Sequence, residues 1–131
     1  MARILIIDDE AAIRNLLIKI LEREGYKTIS ASDGKEGIRL YRENLADLII
    51  TDLIMPQKEG IETIMELRRD FRDIKIIAMS GGGRIDSDTY LQIAKTAGAI
   101  GTLAKPFDRK DVLKTVQDLL EMEPKNIPPR F

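Results

Sequence analysis

The chain has 131 residues, enough for one domain, and at 44% hydrophobic and 33% charged it can bury a core and stay soluble. Its 21 Lys and Arg against 22 Asp and Glu leave no basic field for nucleic acid. With no cysteine and no histidine it lacks disulfides, thiolate chemistry, the usual general base and the commonest metal ligand.

Apolar runs and amphipathic stretches alternate along the chain. The run "ILII" (4–7) reads as a buried strand that ends on three acids, Asp8, Asp9 and Glu10. Residues 11–24 set Ile13, Leu16, Leu17, Ile20 and Leu21 on one helical face, and Gly25 stops that helix. "KTISAS" (27–32) alternates as an outer strand does, and 34–43 is helical with Ile38 and Tyr41 inward. "DLIIT" (47–51) is a second buried strand. The loop "MPQKEG" (55–60) precedes a helix over 61–71 that carries Ile61, Ile64, Met65 and Phe71. "IKIIAMS" (74–80) is a third apolar strand, followed by the loop "GGGRIDSD" and a helix over 88–97 that Gly98 ends. "IGTLA" (100–104) is a short strand, and 108–121 a last helix with Val112, Val116, Leu119 and Leu120 inward. Residues 122–131 form a Pro-rich tail, expected to be flexible.

Five βα units imply a parallel sheet with helices on both faces, a doubly wound α/β fold over 1–121. The continuous apolar runs mark central strands buried on both sides. Such folds bind ligands at the carboxyl ends of their strands. Those ends carry Asp8 and Asp9, then Asp52, Ser80 and Lys105. Adjacent carboxylates about 4 Å apart repel by about 4 kcal/mol at an effective dielectric near 20. A divalent cation and Lys105 would offset that charge, and Mg²⁺ takes oxygen ligands while bridging carboxylates to phosphate.

Each residue alone has a plain reading: acids at a helix N-terminus, a turn Asp, a small Ser, a solvated Lys. Together, each directly after a strand, they define a site. "GGGR" (81–84) fits no phosphate-binding glycine motif. A flavin carrier would need a phosphate loop where Asp8 and Asp9 stand, and a haloacid-type phosphatase needs Asp-x-Asp, whereas Ile54 occupies the second position after Asp52. No segment approaches the roughly 18 apolar residues of a membrane span, and no signal peptide is evident, so a cytoplasmic protein is expected.

The motifs "IIDDE", "DLIMPQKEG", "MSG" and "LAKPF" follow one another at strand ends, and with them the chain resembles the receiver domains of two-component response regulators over residues 2 to 121. The resemblance implies a flavodoxin-like five-stranded sheet in the order 2-1-3-4-5. It implies that Asp52 is the phosphoacceptor, with Ser80 and Lys105 on the phosphoryl group. Mg²⁺ would be held by Asp9 directly, Asp8 mainly through water, Asp52, and the carbonyl of Ile54. A cis Lys105–Pro106 bond is also implied.

The donor would be a histidine kinase or histidine phosphotransfer protein. The output would be altered binding of a protein partner or onward relay, as in stand-alone receivers. Such a protein is no enzyme in the ordinary sense, though it assists its own phosphorylation and dephosphorylation. A phosphorylation-independent adaptor is the alternative; it would be expected to lose an acid or the lysine. Receivers usually carry Tyr or Phe three positions before the lysine, where this chain has Thr102. The change on phosphorylation is therefore expected in the glycine loop 81–87, with the face of the fourth helix, fifth strand and fifth helix meeting the partner.

Overall fold

The computed structural model describes residues 2–53, 60–81 and 87–123. The elements in chain order are β1 (Arg3–Ile7), α1 (Ala11–Arg23), β2 (Lys27–Ala31), α2 (Gly34–Glu43) and β3 (Leu48–Asp52). They continue as α3 (Gly60–Asp70), β4 (Ile76–Gly81), α4 (Ser87–Ala97), β5 (Gly101–Lys105) and α5 (Arg109–Glu121). All four strand pairings are parallel, in the order β2-β1-β3-β4-β5. The expected topology and strand order are both present.

Strand alternation divides the core in two. Leu5, Ile7, Ile49, Leu53, Ile76 and Ala78 face Ile38, Tyr41, Ile64, Leu67 and Ala94 on the α2–α3–α4 side. Ile4, Ile6, Leu48, Ile50, Ile77, Met79 and Leu103 face Leu17, Ile20, Leu21, Val112, Val116 and Leu119 on the α1–α5 side. The three apolar runs are thus buried on both faces, as a sheet covered by helices requires.

Two helix faces differ from expectation. Leu16 is 44% exposed and Met65 is 55% exposed. In α1 the buried stripe centres on Leu17 and Leu21, with Ile13 and Ile18 flanking, which turns Leu16 toward solvent. In α3 the stripe runs through Gly60, Ile64, Leu67 and Arg68, leaving Met65 on the opposite side. β4 begins at Ile76 rather than 74, because the N–H of Ile74 bonds the carbonyl of Phe71 in a turn at 3.4 Å.

Helix ends follow local chemistry. The Asp33 and Asp108 carboxylates accept the N–H of Glu36 and Asp111, both at 2.8 Å, as N-caps do. Gly25 (φ 91°) and Gly98 (φ 134°) take the left-handed backbone that lets α1 and α4 end. Arg68, 4% exposed, closes the end of α4 from α3. Its guanidinium donates to the carbonyl of Gly98 at 2.6 and 3.2 Å and to that of Arg72 at 2.9 Å. A β-carbon on residue 98 would stand 2.9 Å from Arg68 Cγ, so glycine also makes room for this arginine. Among the described residues no helix is long and apolar enough to cross a membrane. Tail residues 124–131 and loop residues 82–86 lie outside the described residues.

Candidate functional site

Parallel pairing brings the strand ends to one rim. Asp52 pairs in register with Met79, one residue before Ser80, and Ser80 pairs with Ala104, one residue before Lys105. Asp8 follows Ile7, and its N–H continues the β1–β2 ladder to the carbonyl of Ala31 at 3.2 Å. Asp8, Asp52, Ser80 and Lys105 therefore stand together, as the sequence predicts.

Asp8 is wholly buried, and every oxygen on it is engaged. Oδ1 accepts the N–H of Glu10 at 2.8 Å, Oδ2 accepts the Lys105 ammonium at 3.0 Å, and the backbone carbonyl accepts Nη1 of Arg14 at 2.8 Å. Asp9 points out to solvent. Lys105 Nζ also lies 3.5 Å from Asp52 Oδ1 and 3.8 Å from Glu10 Oε1. One ammonium is thus shared by three carboxylates, and the bond from Lys105 to Pro106 is cis.

The electrostatics follow from this packing. Asp52 is 7% exposed, and burial, with the charge of Asp8 adding to it, pushes its carboxyl up to about 6 in spite of Lys105. Burial pulls the Lys105 ammonium down, but its bond to Asp8 and the charges of Asp52, Asp8 and Glu10 outweigh that and hold it above its ordinary value. Among the described residues the rim carries more negative charge than Lys105 neutralises. Carboxylate oxygens of Asp8, Asp9 and Glu10 lie within 4.8 Å of one another, an all-oxygen donor set of the kind a hard divalent cation takes. Ile54, whose carbonyl the family resemblance implies as a metal ligand, lies outside the described residues.

Three contributors escape a reading by strand ends. Arg14 clamps the acidic turn through the Asp8 carbonyl. Glu10 reaches Lys105. Gly60 starts α3 directly over the end of β3: its N–H bonds the carbonyl of Leu53 at 2.9 Å, and a β-carbon there would fall 2.1 Å from the Asp52 carbonyl oxygen. Only glycine allows that approach. The one sequence signal for it is its place at the end of "DLIMPQKEG". Thr102, half-buried and paired with Ala78, occupies the position where receivers usually carry an aromatic ring.

The response regulator receiver domain profile matches residues 4–117. Sporulation initiation phosphotransferase F of Bacillus subtilis is 31% identical over 121 residues, 92% of this chain and 95% of its own. The chemotaxis protein CheY of Halobacterium salinarum is 33% identical over 118 residues, 90% of this chain and 96% of its own. Among solved structures, chemotaxis protein CheY4 of Vibrio cholerae superposes with a TM-score of 0.82 at 31% identity, covering 91% of this chain and 98% of that one. The chain belongs to the response regulator receiver domain family. A receiver domain of this kind is consistent with two-component signalling.

Proposed function

We propose that the chain accepts a phosphoryl group on Asp52 from the phosphohistidine of a histidine kinase or phosphotransfer protein. The observation that carries this reading is the Lys105 ammonium set between buried Asp8 and Asp52, at 3.0 and 3.5 Å. Asp52 is a carboxylate nucleophile at the open end of a strand. Its Oδ forms a bond to phosphorus as the bond from phosphorus to the histidine nitrogen breaks, leaving an acyl phosphate and a free imidazole. Phosphoryl transfer needs positioning and charge stabilisation more than acid–base chemistry, so the lack of histidine is no obstacle. Lys105 would follow the charge from Asp52 onto the phosphoryl oxygens, and the Ser80 hydroxyl would donate to one of them.

Asp8, Asp9, Asp52 and the Ile54 carbonyl would hold Mg²⁺, which when bound neutralises phosphoryl oxygens. The acyl phosphate then acts by altering partner binding or by onward transfer. The phosphotransferase name of the Bacillus relative favours the second. The adaptor reading gains nothing from this site, since both acids, the acceptor, the hydroxyl and the lysine are all retained. A receiver over 1–121, a short tail over 122–131 and a cytoplasmic location complete the proposal.

Treatment with acetyl phosphate and Mg²⁺ is expected to add one phosphoryl mass to the intact chain, and none when a chelator replaces Mg²⁺. Equal incorporation in chelator would remove the metal from this reading.

A further inference from the structure

We infer that Glu10, which reaches over the rim to the same Lys105 ammonium that lies on Asp52, is a positioning residue that restrains phosphorylation while strengthening cation binding. This rests on the function proposed above. Glu10 is the N-cap of α1, yet its carboxylate makes no cap bond; the backbone there is served by Asp8, which accepts the Glu10 N–H. The helix thus leaves the Glu10 side chain unused. Helix N-caps favour Ser, Thr, Asp and Asn, so a glutamate here is not explained by capping. What it does reach is Lys105, at 3.8 Å, with Asp8 at 3.0 Å and Asp52 at 3.5 Å on the same nitrogen.

At 62% exposed, the Glu10 side chain stands in solvent 3.8 Å from the ammonium that lies on buried Asp52, so an anionic phosphodonor drawn to that ammonium would meet its charge. Its charge then has two effects of opposite sign. It attracts a divalent cation. It also competes with Asp52, and with an incoming phosphoryl group, for Lys105. A unit charge removed about 6 Å from a divalent ion through water-like dielectric alters a rate or an equilibrium about tenfold, which screening at ordinary ionic strength cuts to about threefold.

The test is Glu10→Gln, which keeps the shape and removes the charge, with Glu10→Lys as the stronger variant. The Kd for Mg²⁺ is read by calorimetric titration. The rate of labelling by acetyl phosphate is read by intact mass at saturating Mg²⁺. In that labelling an Asp52 oxygen bonds phosphorus while the phosphorus–oxygen bond to acetate breaks, and acetate leaves with the electron pair. Glu10→Gln is expected to weaken Mg²⁺ about threefold and to speed labelling about threefold, both effects shrinking in high salt as exposed charges are screened. Glu10→Lys is expected to move both further in the same directions. Unchanged values, or a rate that falls along with the affinity, would overturn the inference while the wild type is still labelled. A wild type that takes no label would instead overturn the phosphoacceptor reading, and this inference with it.

Discussion

Asp52→Asn is expected to be more stable than the wild type at pH 7.5 in chelator, by about 2–3 kcal/mol. The Asp52 carboxyl stands at about 6 in the fold against an ordinary 3.8, because burial and then the charge of Asp8 oppose its ionisation more than Lys105 favours it. Between those two values the native state holds a proton that the unfolded chain has released. Stability therefore falls as pH rises through that window and stays lower above it. Asparagine has no charge to form, keeps the shape, and leaves Lys105 its bond to Asp8. Urea unfolding of both proteins at several pH values checks this. The gap should close toward pH 4, where wild-type Asp52 is protonated in the fold. A variant no more stable at pH 7.5, or a gap independent of pH, would show that the rim does not store this charge.

Arg68→Met is expected to cost about 2–4 kcal/mol, a large loss for a charged residue away from the rim. The guanidinium is almost wholly buried, and it serves the carbonyls of Gly98 and Arg72 through three bonds. Burial lowers its affinity for the proton, with the charges of Asp73 and Tyr41 opposing, yet an arginine remains charged. Methionine fills similar space but leaves the Gly98 carbonyl at the end of α4 without its donor, and removes a cation from the negative end of that helix. Denaturant unfolding should show the loss, and amide exchange should rise first at residues 98–100. A loss below about 1 kcal/mol would mean that water replaces the arginine.

The sheet was legible because it is written in continuous runs. Ile4 to Ile7, Leu48 to Ile50 and Ile76 to Met79 have no polar residue to place on either face, so they had to lie between helix layers. Asp52, Lys105, Ser80 and Asp8 were legible because each stands at or just beyond the carboxyl end of a strand. Strand order was different: it came from the family resemblance, since nothing in the residues themselves ranks five short parallel strands.

What stayed hidden depends on contacts between distant segments. Leu16 and Met65 obey helical spacing yet face water, because the neighbouring strands, not the helix, decide which side of an apolar stripe is covered. Arg68 reads as a surface charge until Gly98 is brought beside it, thirty residues on. Gly60 reads as loop freedom, whereas its role is to let α3 rest on the Asp52 backbone. Glu10 reads as one more acid at a helix start, and only the fold shows that Lys105, ninety-five residues later, is what it meets.

The most direct test of the central claim is transfer from a panel of histidine kinases carrying labelled phosphohistidine, in Mg²⁺, to the wild type and to Asp52→Ala. The phosphoacceptor reading predicts that at least one kinase passes its label to the wild type, that peptide mapping places it on Asp52, and that Asp52→Ala takes none. Equal label on Asp52→Ala would contradict it.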